Sequence, residues 1–78
     1  MDKIIKAIED KINIGYGYHN LEVNFGYLEE GAVQEGYYLS KINGWGSIPI
    51  TEVLCDEKDV NFKELILMLD ELGIAYSI

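Results

Sequence analysis

Seventy-eight residues carrying 14 acidic side chains, six lysines and no arginine have a formal charge of −8 at pH 7. A field of that sign repels nucleic acid and anionic lipid and attracts basic protein surfaces, so direct nucleic-acid binding and membrane-surface binding are excluded as expectations. The length allows a single domain, residues 1–78, burying roughly 60–65% of the surface its unfolded chain exposes.

The charge is lopsided. In residues 1–13, Asp2, Glu9 and Asp10 balance Lys3, Lys6 and Lys11, whereas in residues 14–78 11 carboxylates face Lys41, Lys58 and Lys63. A hydrophobic fraction of 49% argues for a folded chain despite the charge. Six tyrosines, one tryptophan and two phenylalanines are too many rings for so small a body to bury, so some are expected at a surface. The single cysteine, Cys55, allows no intrachain disulfide. The charged start MDKIIKAIED does not read as a signal peptide, and the longest strictly apolar run, Leu65–Leu69, is far short of the ~20 residues that span a bilayer. A soluble cytoplasmic protein is expected.

Residues 2–13 read as a helix: Ile4, Ile5, Ile8 and Ile12 recur on one face, Asp2 is a cap, and Asn13 with Gly15 supplies the stop. Residues 20–28 alternate, with Leu21, Val23, Phe25 and Tyr27 on one face and Asn20, Glu22, Asn24 and Gly26 on the other, the pattern of a half-buried antiparallel strand. Glu29-Glu30-Gly31 reads as a turn. A second strand falls within 32–43, centred on Tyr37-Tyr38-Leu39; either tyrosine can face the core, and Gly36 marks a bulge. Asn43-Gly44 is a turn dipeptide that presents Trp45. A third strand covers roughly 47–54, at an edge because Pro49 has no N–H to donate, with a short helix over 51–55 as the alternative. After the acidic loop Asp56–Asp59, Asn61 and Glu64 form a capping-box pair for a helix reaching Leu72. Its apolar stripe is Phe62, Leu65, Ile66, Leu69 and Leu72, and Gly73 ends it. Residues 74–78 alternate again and allow a closing strand. The order α-β-β-β-α predicts an α+β domain, an antiparallel sheet with two helices on one face.

Catalytic and cofactor signals are missing from this pattern. One histidine, His19, and one cysteine cannot supply the four donors of a structural zinc site. Asp56–Asn61 fails as a calcium loop, with Lys58 third, Val60 fifth and Asn61 at the glycine position. Gly15-Tyr16-Gly17 opens a GxGxxG run that Asn20 closes wrongly, and it follows a helix rather than a strand. Ser40, Ser47 and Ser77 have no neighbouring motif, and Cys55 reads as an inert thiol. No enzyme, metal or cofactor is expected.

The carboxylates instead suggest recognition. Glu22 lies on the polar face of the first strand, Glu29, Glu30 and Glu35 surround the first hairpin, and Glu52, Asp56, Glu57 and Asp59 lead into the last helix. Acids on alternate strand positions stand ~6.6–6.8 Å apart, against a phosphate rise of ~3.4 Å per nucleotide, so carboxylates can fall at phosphate-like intervals. Asn20, Asn24 and Asn43 can imitate base edges, and Tyr37, Tyr38 and Trp45 can anchor. Plain solubility accounts for the same charge without a partner.

In size, acidity and α-β-β-β-α order the chain resembles small phage-encoded inhibitors, including some anti-CRISPR proteins and other DNA mimics. The resemblance rests on layout rather than on a shared motif. It implies an inhibitor occupying the basic, nucleic-acid-binding site of a partner protein. An immunity protein against a basic nuclease toxin shares this layout. A homo-oligomeric structural or accessory domain, such as a homodimer, is the reading from a different class.

Overall fold

The isoleucines of the first segment fall where their periodicity places them. In a computed structural model describing residues 2–28 and 34–78, helix α1 spans Asp2–Asn13, with Ile4 and Ile8 buried and Ile12 packed beside them. Asp2, expected as the cap, lies in the first turn. The helix closes where the Gly15 N–H reaches the Ile12 carbonyl at 3.1 Å and the Tyr16 N–H reaches that of Lys11 at 3.0 Å.

Helix α2 spans Phe62–Leu72. Its cap is made as the sequence implies: the Glu64 N–H donates to Asn61 Oδ1 at 3.2 Å, satisfying one of the otherwise unpaired donors of the first turn. Gly73 ends it with φ of 72°, a region that a Cβ makes costly, and the Ile74 N–H returns to the Leu69 carbonyl at 2.9 Å. The buried stripe is narrower than the periodicity suggests. Leu65 and Leu69 are buried and Met68 packs beside them, while Phe62 and Leu72, the end residues of the helix, are exposed.

Four strands form one sheet in the order β3-β2-β1-β4: β1 Leu21–Leu28, β2 Gln34–Asn43, β3 Gly46–Pro49 and β4 Ala75–Ser77. β1 and β2 are antiparallel, with Val23 opposite Leu39 and Phe25 opposite Tyr37. β2 and β3 form a hairpin turning through Gly44 and Trp45, and β3 is an edge, as Pro49 requires. The closing strand is present but runs parallel to β1, with Glu22 opposite Ala75, so the sheet is mixed rather than wholly antiparallel. Gly73 ends α2, and the chain then runs alongside β1 in the same direction. The turn expected at Glu29-Glu30-Gly31 lies outside the described residues.

Register decides the faces. Leu21 and Val23 of β1 and Tyr37 and Leu39 of β2 share one face and join Ile4, Ile8, Cys55, Leu65, Leu69 and Ile74 in a single buried cluster. The tyrosine ambiguity is thereby resolved. Tyr37 is 4% exposed, its ring 4.8 Å from that of Phe25, and it is a core residue rather than the surface anchor expected from sequence. Tyr38 takes the other face, opposite Asn24. Gly36 is no bulge. It pairs squarely with Gly26, and its missing side chain leaves room for another stretch of backbone: a Cβ there would stand 2.5 Å from the Cys55 carbonyl oxygen.

That stretch is residues 50–55, which form neither strand nor helix beyond an isolated bridge at Cys55. The Tyr37 N–H donates to the Cys55 carbonyl and the Leu54 N–H to the Tyr37 carbonyl, both at 2.8 Å. The segment therefore stays attached to β2 after β3 ends at Pro49. No helix among the described residues is long and apolar enough to cross a membrane.

Candidate protein-binding surface

The Tyr37–Cys55 pair positions the acidic loop. Its antiparallel sense places Asp56 and Glu57 on the Glu35 side of the bridge, at the start of β2. Asp56 is fixed there as the cap of a short 3₁₀ turn, Glu57–Asp59, accepting the Lys58 N–H at Oδ1 at 2.9 Å. The Lys58 ammonium lies 3.9 Å from the other carboxylate oxygen, an exposed contact of small energetic weight. The electrostatic effect of the loop reaches into the core: the Tyr37 phenol is held above its ordinary pKa by burial first and by the charge of Glu57 second.

Asp2 and Asp59 meet at the same end. With Lys3 and Cys55 they line an open cavity of about 350 Å³. Within residues 1–13 Asp2 belongs to a neutral stretch, and only the folding of α1 against the 55–59 segment adds it to the acidic end. Burial, the largest influence, pushes the Cys55 thiol up from its ordinary pKa, and the thiol is 7% exposed. It is therefore a poor nucleophile.

One further residue escaped the sequence pattern. Alternation puts Tyr27 on the core face of β1, yet it is 61% exposed and directly opposite Glu35. The buried cluster stops before it, leaving an open ring beside a carboxylate. The end of the sheet thus combines Tyr27 and Glu35 with Asp56, Glu57, Asp59 and Asp2.

Other expected site residues fall elsewhere. Trp45 is fully exposed at the β2–β3 turn, its backbone N–H donating to Asn43 Oδ1 at 3.1 Å. Glu35 and Asn43 are eight residue steps apart, ~26 Å along β2, so Trp45 and the acidic loop occupy opposite ends. Lys11 and Lys41 gather at the Trp45 end, their ammonium groups 6.0 and 5.7 Å from the Tyr16 ring centroid. β2 therefore runs from the acidic end, at Glu35, toward a lysine, Lys41. Glu52 is exposed in the irregular segment after Thr51. Glu29 and Glu30 lie outside the described residues.

Glu22 stands apart on the second face of the sheet. That face also carries Asn24, Tyr38 and Ser40, of which Ser40 is fully buried and Asn24 nearly so, while Glu22 and Tyr38 are half-buried. Asn24 Nδ2 donates to Glu22 Oε1 at 2.6 Å. Asn24 is only 8% exposed, and its Oδ1 is buried without a hydrogen-bond partner. An unmade bond of that kind costs about 1–3 kcal/mol. Among the described residues no group of three or more His, Cys, Asp or Glu is arranged to hold a metal ion. No protein-family model, curated protein or solved structure matches the chain.

Proposed function

We propose that the chain is a small acidic inhibitor that occupies a basic, nucleic-acid-binding site on a partner protein. The observation that supports this best is the Tyr37–Cys55 backbone pair, which sets Asp56 and Glu57 beside Glu35 and Tyr27. The carboxylates steer encounter with a Lys/Arg-lined groove, and the exposed ring supplies apolar contact that slows release. Competition with nucleic acid follows, because both ligands need the same cations.

The test begins with capture of partners from a host lysate at low and high salt, followed by kinetics with the recovered protein. The double variant Glu35→Lys, Glu57→Lys should slow association on the order of 10–100-fold at low salt. Duplex DNA should compete with the wild-type chain. An unchanged association rate, or binding indifferent to competing nucleic acid, would sink this reading.

A second reading rests on the β3 edge. β3 is four residues long, wholly exposed and unpaired on its outer side among the described residues, with Ile48 55% exposed. Such an edge can pair with a second copy of the chain. Sedimentation across a concentration range tests it, and a strict monomer at high concentration removes it.

A further inference from the structure

We infer that Glu22 and Asn24 form a seat for one arginine guanidinium of the partner, on the second face of the sheet. The inference rests on the inhibitor reading and adds to it the chemistry of one contact. Residues two apart on a strand share a face, and here they are locked together: Asn24 Nδ2 holds Glu22 Oε1 at 2.6 Å. One oxygen of the carboxylate is therefore held before any partner arrives, and Oε2 is left to accept. The Asn24 side chain, nine-tenths buried, commits one N–H to Glu22, and its Oδ1 has no partner. What is missing is a donor.

No lysine of the described chain supplies it. Lys41 sits on the other face of β2, opposite Leu21, and reaches toward Tyr16, while Lys58 stands by Asp56. Glu22 and the hydrogen-bonded Asn24 amide carry acceptor oxygens on adjoining side chains, with Oδ1 the more deeply buried. A guanidinium carries five N–H donors in a planar fork and is weakly hydrated, so it can serve both groups in a half-buried setting; an ammonium is a strongly hydrated point charge. Tyr38, directly opposite Asn24 on the same face, offers a ring on which that plane can stack. Seating the group requires the surroundings of Oδ1 to open by a small side-chain movement.

The experiment uses the intact chain with tetra-arginine and tetra-lysine peptides as probes, followed by the Asn24 side-chain amide signals in ¹⁵N–¹H spectra. Tetra-arginine should shift that pair, and tetra-lysine should leave it in place. Glu22→Gln, which keeps the shape, should weaken tetra-arginine binding about tenfold and tetra-lysine binding much less. Equal shifts with both peptides would reduce the effect to charge alone and overturn the seat. Unmoved Asn24 signals, or a Glu22→Gln variant that binds tetra-arginine as wild type does, would also overturn it. Neither result touches the inhibitor reading, which stands or falls on Glu35, Glu57 and competition with DNA.

Discussion

Thr51 Oγ1 accepts the Leu39 N–H at 2.9 Å, in the place a backbone carbonyl fills in an unbroken ladder. The Leu39 carbonyl in turn accepts the Ile50 N–H at 2.9 Å. A side chain thus carries β2 across the gap between β3 and the Cys55 bridge. Thr51→Val keeps the shape and removes the acceptor, leaving the N–H of a fully buried residue unpaired. It should lower stability by about 1–3 kcal/mol in urea unfolding, and Thr51→Ser should recover most of that. Equal midpoints for all three proteins would mean the hydroxyl is not needed.

Two glycines separate close approach from simple turn geometry. Gly36 has φ of 157° and the Cys55 carbonyl where its Cβ would be. Gly44 has open space around it and no positive φ. Gly36→Ala should cost ~2 kcal/mol or more, since the obstructing atom is backbone and cannot rotate away. Gly44→Ala should stay within ~0.5–1 kcal/mol of wild type. A Gly36→Ala variant as stable as Gly44→Ala would show that residues 53–55 are not held against β2.

Thr51 and Gly36 mark where the sequence stops being legible. Ile4, Ile8, Leu21, Val23, Leu65 and Leu69 were readable because period and burial agree within one element. Asn61 and Gly73 were readable because a cap and a left-handed residue act locally. Thr51 and Gly36 act through partners 12 and 19 residues away in sequence, and no local pattern records that. Tyr37 against Tyr38 was undecidable for the same reason, since register is fixed by the opposing strand. For the candidate site, the acids could be named individually, but their grouping depends on the Cys55 bridge. Alternation points Tyr27 inward because it does not say where the core ends, and Asn24 outward because it does not say which polar residue a neighbour will cover.

The buried thiol gives the protein an alkaline weakness. Burial raises the Cys55 pKa above its ordinary value of 9.0, so the folded state holds the proton to higher pH than the unfolded one. The stability this contributes is complete below the ordinary value and is lost as pH rises through the raised one. Urea midpoints should therefore be flat between about pH 7 and 8 and decline from about pH 9 upward. In Cys55→Ala the decline should begin later, where Tyr37, also raised by burial from 10.0, starts to differ between the states. A Cys55→Ala variant with the same onset would assign the loss to other groups.

The emission of Trp45 discriminates between the acidic-end reading and the edge reading. It is the only tryptophan in the sequence and is fully exposed in the fold. Its emission should thus be water-like in the native state and shift little on unfolding in urea. Docking through Glu35, Asp56 and Tyr27 leaves the indole ~26 Å away along β2, so a partner without tryptophan near its groove should bind with no change in emission. Pairing through β3 puts a second copy next to the hairpin that carries Trp45, and emission should then move to shorter wavelength as protein concentration rises. Trp45→Ala should change stability by no more than ~0.5 kcal/mol, because the side chain has no buried contacts to lose. A blue shift on adding the captured partner, together with weaker binding by Trp45→Ala, would move the contact from the acidic end to the hairpin.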